Sequence, residues 1–207
     1  MTDSKSLVLV DDHEMLQIGL KTFLESKSDW KVTGTAKSID TAKKLLAGFA
    51  SDLFPQMIII DVELGEFENG FDLASFIKEN YPQMKIIMYS MHDENNYVLK
   101  AKELDVDGYV SKAAESDEFI KCIECIDSGK KYIEERLNEN VSVVENVLNL
   151  LTKKEALIFN EMLKGKTNEE IGETLDMKKH SVEVYATIIY EKTFCSNRAE
   201  LLKKFRK

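Results

Sequence analysis

The sequence predicts an α/β domain, a doubly wound parallel sheet of five strands with helices on both faces, followed by an all-α domain. Three observations carry that prediction. Short apolar runs alternate with amphipathic helical patterns from residue 5 to about 128, as strands joined by crossover helices do. The clearest run, Met57, Ile58, Ile59 and Ile60, ends abruptly in Asp61 and reads as a strand buried on both faces. Beyond Gly129 the apolar residues recur at helical spacing only.

Leu7, Val8, Leu9 and Val10 form the first strand, which ends in Asp11, Asp12 and His13. Met15, Leu16, Leu20, Phe23 and Leu24 give the next helix its apolar stripe. Residues 30–36 read as the second strand, and Ser38 caps a helix running to about Ala50. The strand into Asp61 is third, bounded by Pro55 before it and by Gly65 and Gly70 after it. A helix from Phe71 must end before Pro82, because a residue preceding proline avoids helical backbone. Residues 85–90 are the fourth strand, 94–103 a helix and 108–112 a short fifth strand. Ser116 is read as the N-cap of a closing helix that stops near Gly129.

Residues 130–150 read as a polar, partly helical connection. Thr152 with Glu155, and Thr167 with Glu170, match capping boxes, and Gly165 suits the end of the helix between them. A third helix over 179–192 and a fourth from about Asn197 complete a set of short helices with tight turns. That arrangement suggests a helix-turn-helix. The expected division is 5–128 for the α/β domain, 129–147 for a linker and 148–207 for the helical domain.

Bulk properties narrow the class. A chain of 207 residues that is 43% hydrophobic and 31% charged suits a globular protein rather than a disordered one. Its apolar runs are too short to span a bilayer. The first residues lack a signal-peptide pattern, so the expectation is a cytoplasmic protein without membrane association. Cys122 and Cys125 form a CxxC pair that could serve redox or metal chemistry. Their place in an amphipathic helical pattern favours reduced core cysteines. Charge divides unevenly: residues 1–150 carry 16 basic against 28 acidic side chains, a net of −12, and residues 151–207 carry 12 against 9, a net of +3. An acidic domain joined to a mildly basic one follows.

Four strand ends deliver polar residues to one rim: Asp11 and Asp12, Asp61, Ser90 and Lys112. Ligands of open parallel sheets bind at the carboxyl ends of the strands. Three crowded carboxylates repel unless a cation neutralises them, so a hard divalent ion such as Mg²⁺ is expected. A lysine opposite them can hold an anion, a serine can hydrogen-bond it, and one carboxylate can carry a phosphoryl group.

The run from Leu7 to His13, the strand into Asp61, Ser90, and the stretch Asp107, Gly108, Tyr109, Val110, Ser111, Lys112 resemble the receiver domain of two-component response regulators, a flavodoxin-like fold, over residues 5–128. The resemblance implies that Asp61 accepts a phosphoryl group from a histidine kinase. It makes Asp12 a direct and Asp11 a water-mediated Mg²⁺ ligand, with the Glu63 backbone carbonyl and Asp61 completing the set. Ser90 and Lys112 would hold the phosphoryl oxygens, and Tyr109 would be the aromatic switch that moves inward. The sequence departs from the family in Leu64 and Gly65, where Met-Pro is usual. It departs again in Gly70, one residue later than expected, in Met91 after Ser90, and in Ala113 after Lys112.

Leu151 to Glu155, Gly165 to Gly172, and Ser181 with Val182 resemble the NarL/LuxR-type helix-turn-helix, and Ile188, Lys192 and Arg198 fall on its pattern. The resemblance places the 179–192 helix in the DNA major groove. Lys178, Lys179, His180, Ser181, Val184 and Thr187 are the expected DNA contacts, with Val182, Ile188 and Ile189 in the helix core. Glu183 stands where the family has lysine, Tyr185 replaces histidine, and Lys178 replaces a serine cap. A carboxylate there weakens phosphate contact.

The leading expectation is a non-enzymatic, phosphorylation-switched transcription regulator that dimerises when phosphorylated. A protein-interaction module that keeps the receiver but has weak or lost DNA binding is the alternative, favoured by Glu183. A remote third is an aspartyl-nucleophile phosphatase, which would need a second aspartate where Glu63 stands.

Overall fold

A computed structural model describes residues 5–206 of the chain. They divide into two compact units, one reaching to Asp93 and including Leu99–Glu134, the other comprising Glu94–Val98 and the chain from Glu135 onward. Among the described residues no helix is long and apolar enough to cross a membrane.

Apolar blocks become strands and the patterned segments between them become helices. In order these are β1 (Ser6–Val10), α1 (Glu14–Lys27), β2 (Lys31–Ala36), α2 (Ile39–Ala47), β3 (Met57–Ile60), α3 (Gly70–Asn80), β4 (Lys85–Ser90), α4 (Asn95–Glu103), β5 (Gly108–Ser111), α5 (Ser116–Asp127) and β6 (Tyr132–Ile133). The sheet is wholly parallel with strand order β2-β1-β3-β4-β5-β6. All four residues of β3 are buried. One core cluster gathers Leu7, Leu9, Met57, Ile59, Ile87 and Val110 from the strands with Leu24 of α1 and Phe119, Cys122, Ile123 and Ile126 of α5.

The structure revises the expected fold in several places. A sixth strand extends the expected five. Tyr132 and Ile133 are too few to show a strand period, yet the Tyr132 amide donates to Asp107 O at 2.9 Å and Glu134 N to Tyr109 O at 3.0 Å. Glu134 Oε2 continues the ladder by accepting from Ser111 N at 2.9 Å. Met15, expected in the apolar stripe of α1, is 80% exposed, and Gln17 is buried in its stead. Gln17 Nε2 donates to Asp11 O and Ala36 O at 2.6 and 2.7 Å. Those two bonds tie α1 to the ends of β1 and β2. Ser116 is the first residue of α5 rather than its cap; Glu115 takes the cap position without a side-chain bond. Asn69, unremarked in the sequence, caps α3 by accepting from Phe71 N at 2.9 Å. Cys122 is buried as expected, Cys125 only half-buried, and both are free thiols.

Replacing Gln17 with leucine keeps the bulk but strips donors from buried carbonyls, so it is expected to cost the first unit about 2 kcal/mol. Urea unfolding followed by the fluorescence of the single, buried Trp30 measures it.

The second unit contains α6 (Glu135–Leu148), α7 (Lys153–Leu163), α8 (Asn168–Leu175), α9 (Lys179–Thr193) and α10 (Arg198–Phe205). Both expected capping boxes are formed, Thr152 with Glu155 on α7 and Thr167 with Glu170 on α8. The Glu155 carboxylate also meets Lys192 Nζ at 2.7 Å, binding α7 to α9. Val182, Ala186 and Ile189 of α9 are buried, as are Ile158, Phe159 and Met162 of α7, Ile171 of α8, and Leu201 and Phe205 of α10. The expected core role of Ile188 is met only in part, since it is half-buried.

Candidate functional site

The carboxyl ends of β1, β3, β4 and β5 bring the expected residues of the first unit together. Asp11 follows β1 and Asp61 follows β3, and their backbones stay in the ladder: Asp61 N donates to Val10 O at 2.8 Å and Asp11 N to Ala36 O at 3.1 Å. Lys112 follows β5, held by its amide to Ser90 O at 2.8 Å. Its ammonium donates to Asp11 Oδ2 and Asp61 Oδ2, both at 2.6 Å, with all three side chains at most 9% exposed.

One ammonium shared by two buried carboxylates leaves a negative balance, and Asp12 adds to it. Its Oδ1 lies 2.7 Å from His13 Nδ1, which is also 3.3 Å from Asp11 Oδ1. Ligand atoms of Asp11, Asp12, His13 and Asp61 fall within 4.8 Å of one another. Hard oxygen donors so clustered suit a divalent cation. Burial pushes the Asp61 carboxyl above its ordinary value, and Lys112 only partly offsets this. Burial alone would lower Lys112, but its bonds to Asp11 and Asp61 outweigh burial and hold it above the usual lysine value.

Ser90 is 1% exposed, and its Oγ accepts from His92 N at 3.2 Å. Tyr109 is fully buried, pointing inward, and its hydroxyl donates to His92 O at 2.5 Å. His92 thus receives both switch candidates on its backbone, a convergence that the sequence alone did not signal. Glu63 lies two residues beyond Asp61 and forms an antiparallel bridge with Asn69. Its carboxylate, 71% exposed, turns to His92 Nε2 at 2.8 Å. That is the position an aspartyl phosphatase would give its second acid. Met91 is 66% exposed. His13 joins the acidic cluster without having been assigned a ligand role; its adjacency to Asp11 and Asp12 was the available signal.

In the second unit, α8 and α9 form the turn expected of a helix-turn-helix. Asp176 ends α8 in the left-handed conformation. Gly172 permits the tight turn, since a Cβ there would meet Met177 O at 2.6 Å. Lys178, at the N-cap of α9, makes no side-chain capping bond. Lys179, His180, Val184 and Thr187 are exposed and fall within about 140° of the helix surface at 100° per residue. Ser181, also expected at this surface, is half-buried. Tyr185 lies under Lys154, whose Nζ is 5.5 Å from the ring centre.

Comparison with known proteins finds two families along the chain. A family model described as the response regulator receiver domain matches residues 7–124, and one for bacterial regulatory proteins of the luxR family matches residues 149–205. The chain is 26% identical to the transcriptional regulatory protein MctR of Rhizobium johnstonii, over 95% of this chain and 91% of that protein. It is 24% identical to the oxygen regulatory protein NreC of Staphylococcus aureus, over 95% and 94%. Its fold is similar to that of RcsB from Salmonella enterica serovar Typhimurium bound to promoter P1flhDC with a phosphomimetic. There the TM-score is 0.69, with 21% identity and 98% of each chain covered.

Proposed function

The chain belongs to the response regulators, a receiver domain joined to a luxR-family regulatory domain, and from that premise we propose that Asp61 is its phosphoacceptor and that phosphorylation controls DNA binding by α9. The observation that carries this reading is the Lys112 ammonium bridging Asp11 and Asp61 at 2.6 Å on the rim of the sheet. A lysine so placed can transfer its bonds from carboxylates to the oxygens of an arriving phosphoryl group.

Asp61 attacks phosphorus of a phosphohistidine on a cognate kinase. The new P–O bond forms as the P–N bond breaks, and the imidazole keeps the electron pair. Lys112 and the Ser90 hydroxyl then bind phosphoryl oxygens, and Tyr109 is the proposed aromatic switch, whose inward position, with its hydroxyl on His92 O, is the one that Ser90 engagement would favour. Asp11, Asp12 and Asp61, with the Glu63 carbonyl, would hold Mg²⁺. When bound, it would neutralise the crowded carboxylates and the transferred phosphoryl charge. Lys178, Lys179, His180, Ser181, Val184 and Thr187 are the proposed DNA-facing residues, in a cytoplasmic protein that dimerises on phosphorylation. A dimer engages two half-sites and gains affinity without new contacts per subunit.

Asp61→Asn is expected to take up no phosphoryl group from acetyl phosphate in Mg²⁺ while keeping the wild-type fold. Intact-mass spectrometry and circular dichroism check the two halves, and undiminished uptake by the variant would remove Asp61 from the role. A second reading, a phosphorylation-gated protein-interaction module, is favoured by the exposed Glu183 carboxylate on α9. It expects no sequence-selective DNA binding in either phosphorylation state.

A further inference from the structure

We infer that Glu183 reads a base: its carboxylate selects cytosine in the major groove, an assignment that rests on the proposed DNA binding by α9. Glu183 is the fifth residue of α9 and lies one turn beyond the uncapped N-terminus. It shares the exposed face with Lys179, His180, Val184 and Thr187. In a helix-turn-helix the N-terminal residues of the second helix reach base edges. Lys178 and Lys179 sit at the helix start, where no side chain of the N-cap bonds the first backbone N–H groups. A phosphate there fits both.

The fold makes little use of the Glu183 carboxylate. Its side chain is 48% exposed, and it faces His180 Nδ1 at 3.5 Å, another residue of the same stripe. The bond in which Glu183 takes part within the helix uses its backbone carbonyl, which accepts from Thr187 Oγ1 at 3.1 Å. A carboxylate on a phosphate-facing surface weakens binding to every sequence alike. It becomes an asset where a base offers it a donor.

Chemistry then narrows the base. A carboxylate only accepts. Guanine presents N7 and O6 and thymine presents O4, all acceptors that repel it. Adenine pairs a donor with an acceptor, which an amide side chain matches and a carboxylate does not. Cytosine presents the N4 donor, the group that glutamate accepts from in the groove. Val184, 49% exposed beside it, offers an apolar contact of the kind a thymine methyl fills.

The experiment is selection from randomised DNA with the full chain activated by beryllofluoride, comparing wild type with Glu183→Gln, Glu183→Ala and Glu183→Lys. Wild type is expected to enrich a site with one cytosine position per half-site that discriminates by about tenfold. E183Q moves that position to adenine, since glutamine pairs with adenine N6 and N7. E183A loses the preference there and keeps the rest of the site. E183K binds all sequences more tightly, with a salt dependence steeper by about one phosphate contact. If wild type, E183Q and E183A enrich the same site, Glu183 reads no base and the inference falls while DNA binding stands. If wild type enriches no site in the activated state, the DNA-binding reading falls and takes the inference with it.

Discussion

Lys112→Met is expected to cost the first unit about 3 kcal/mol, as breaking a buried ion pair from one side does, and to make its remaining stability depend on divalent cation. Methionine preserves most of the packing, so the loss reports charge. Lys112 gives its ammonium to Asp11 and Asp61, and both carboxylates are at least nine-tenths buried. Without it the buried Asp61 faces Asp11 with no lysine between them, which pushes the Asp61 carboxyl further upward. The pH dependence distinguishes this from a packing defect. Lys112 is raised above 10.5, so its contribution is whole below that value and fades as pH climbs through the raised one. Wild type and variant should therefore converge at strongly alkaline pH. They should converge again in acid: Asp61 already sits above its ordinary 3.8, and its protonation removes the charge that lacked a partner. Millimolar Mg²⁺ should return part of the loss, because a ligand of the native state stabilises it by mass action. A deficit flat from acid to alkali and indifferent to Mg²⁺ would mean that Lys112 matters only as bulk.

Gly70→Ala should be as severe, by about 3 kcal/mol of overpacking, and should abolish phosphoryl uptake as well. A Cβ on Gly70 would stand 1.9 Å from Asp61 O and 2.9 Å from Asp61 C and Ile60 Cγ2. Two of those three atoms are backbone, so no rotamer relieves the clash. Either α3 backs away or the end of β3 moves, and the second displaces the Asp61 carboxylate from Lys112. The Gly70 amide, bonded to Val62 O at 2.7 Å, resists the first. Gly19→Ala is the matched control, since a Cβ there meets nothing within 4 Å; it should leave urea midpoint and uptake unharmed. Normal uptake by a folded Gly70→Ala protein would show that the loop yields without moving Asp61.

Much of the rim was legible because its residues sit where chemistry and chain pattern coincide. An apolar block such as Met57 to Ile60 can be buried on both faces only in a central parallel strand, and the polar residue that ends it must then lie on the rim. The same reasoning placed Asp11, Ser90 and Lys112. Gln17 escaped notice because a polar residue within a helical stripe reads as a break in it, whereas here it satisfies two buried carbonyls. Met15 looked like core by its apolar character, but at 100° per residue it lies on the opposite side of α1 from the buried Leu24. Tyr132 and Ile133 pair as a strand without any pattern, because the edge of β5 supplies the template. His92 gathers the Ser90 and Tyr109 bonds through main-chain atoms, which no side-chain pattern records. The α9 surface was legible as a face, and Ser181 stands at its edge, half-buried because its angular position turns it partly toward the helical core.

The central place of β3 sets how the first unit opens in time. Its residues pair with β1 on one side and with β4 on the other, and the amide of Asp61 itself donates to Val10 O. Amides in such a strand exchange with solvent only when the whole unit unfolds, whereas those of surrounding loops exchange through local opening. The proposed phosphoacceptor therefore hangs from a strand expected to be among the slowest to exchange. In deuterium exchange, phosphorylation should leave the 58–61 amides at their slow limit and change protection in the 91–94 and 112–115 loops. The anvil holds still while the loops around it record the blow.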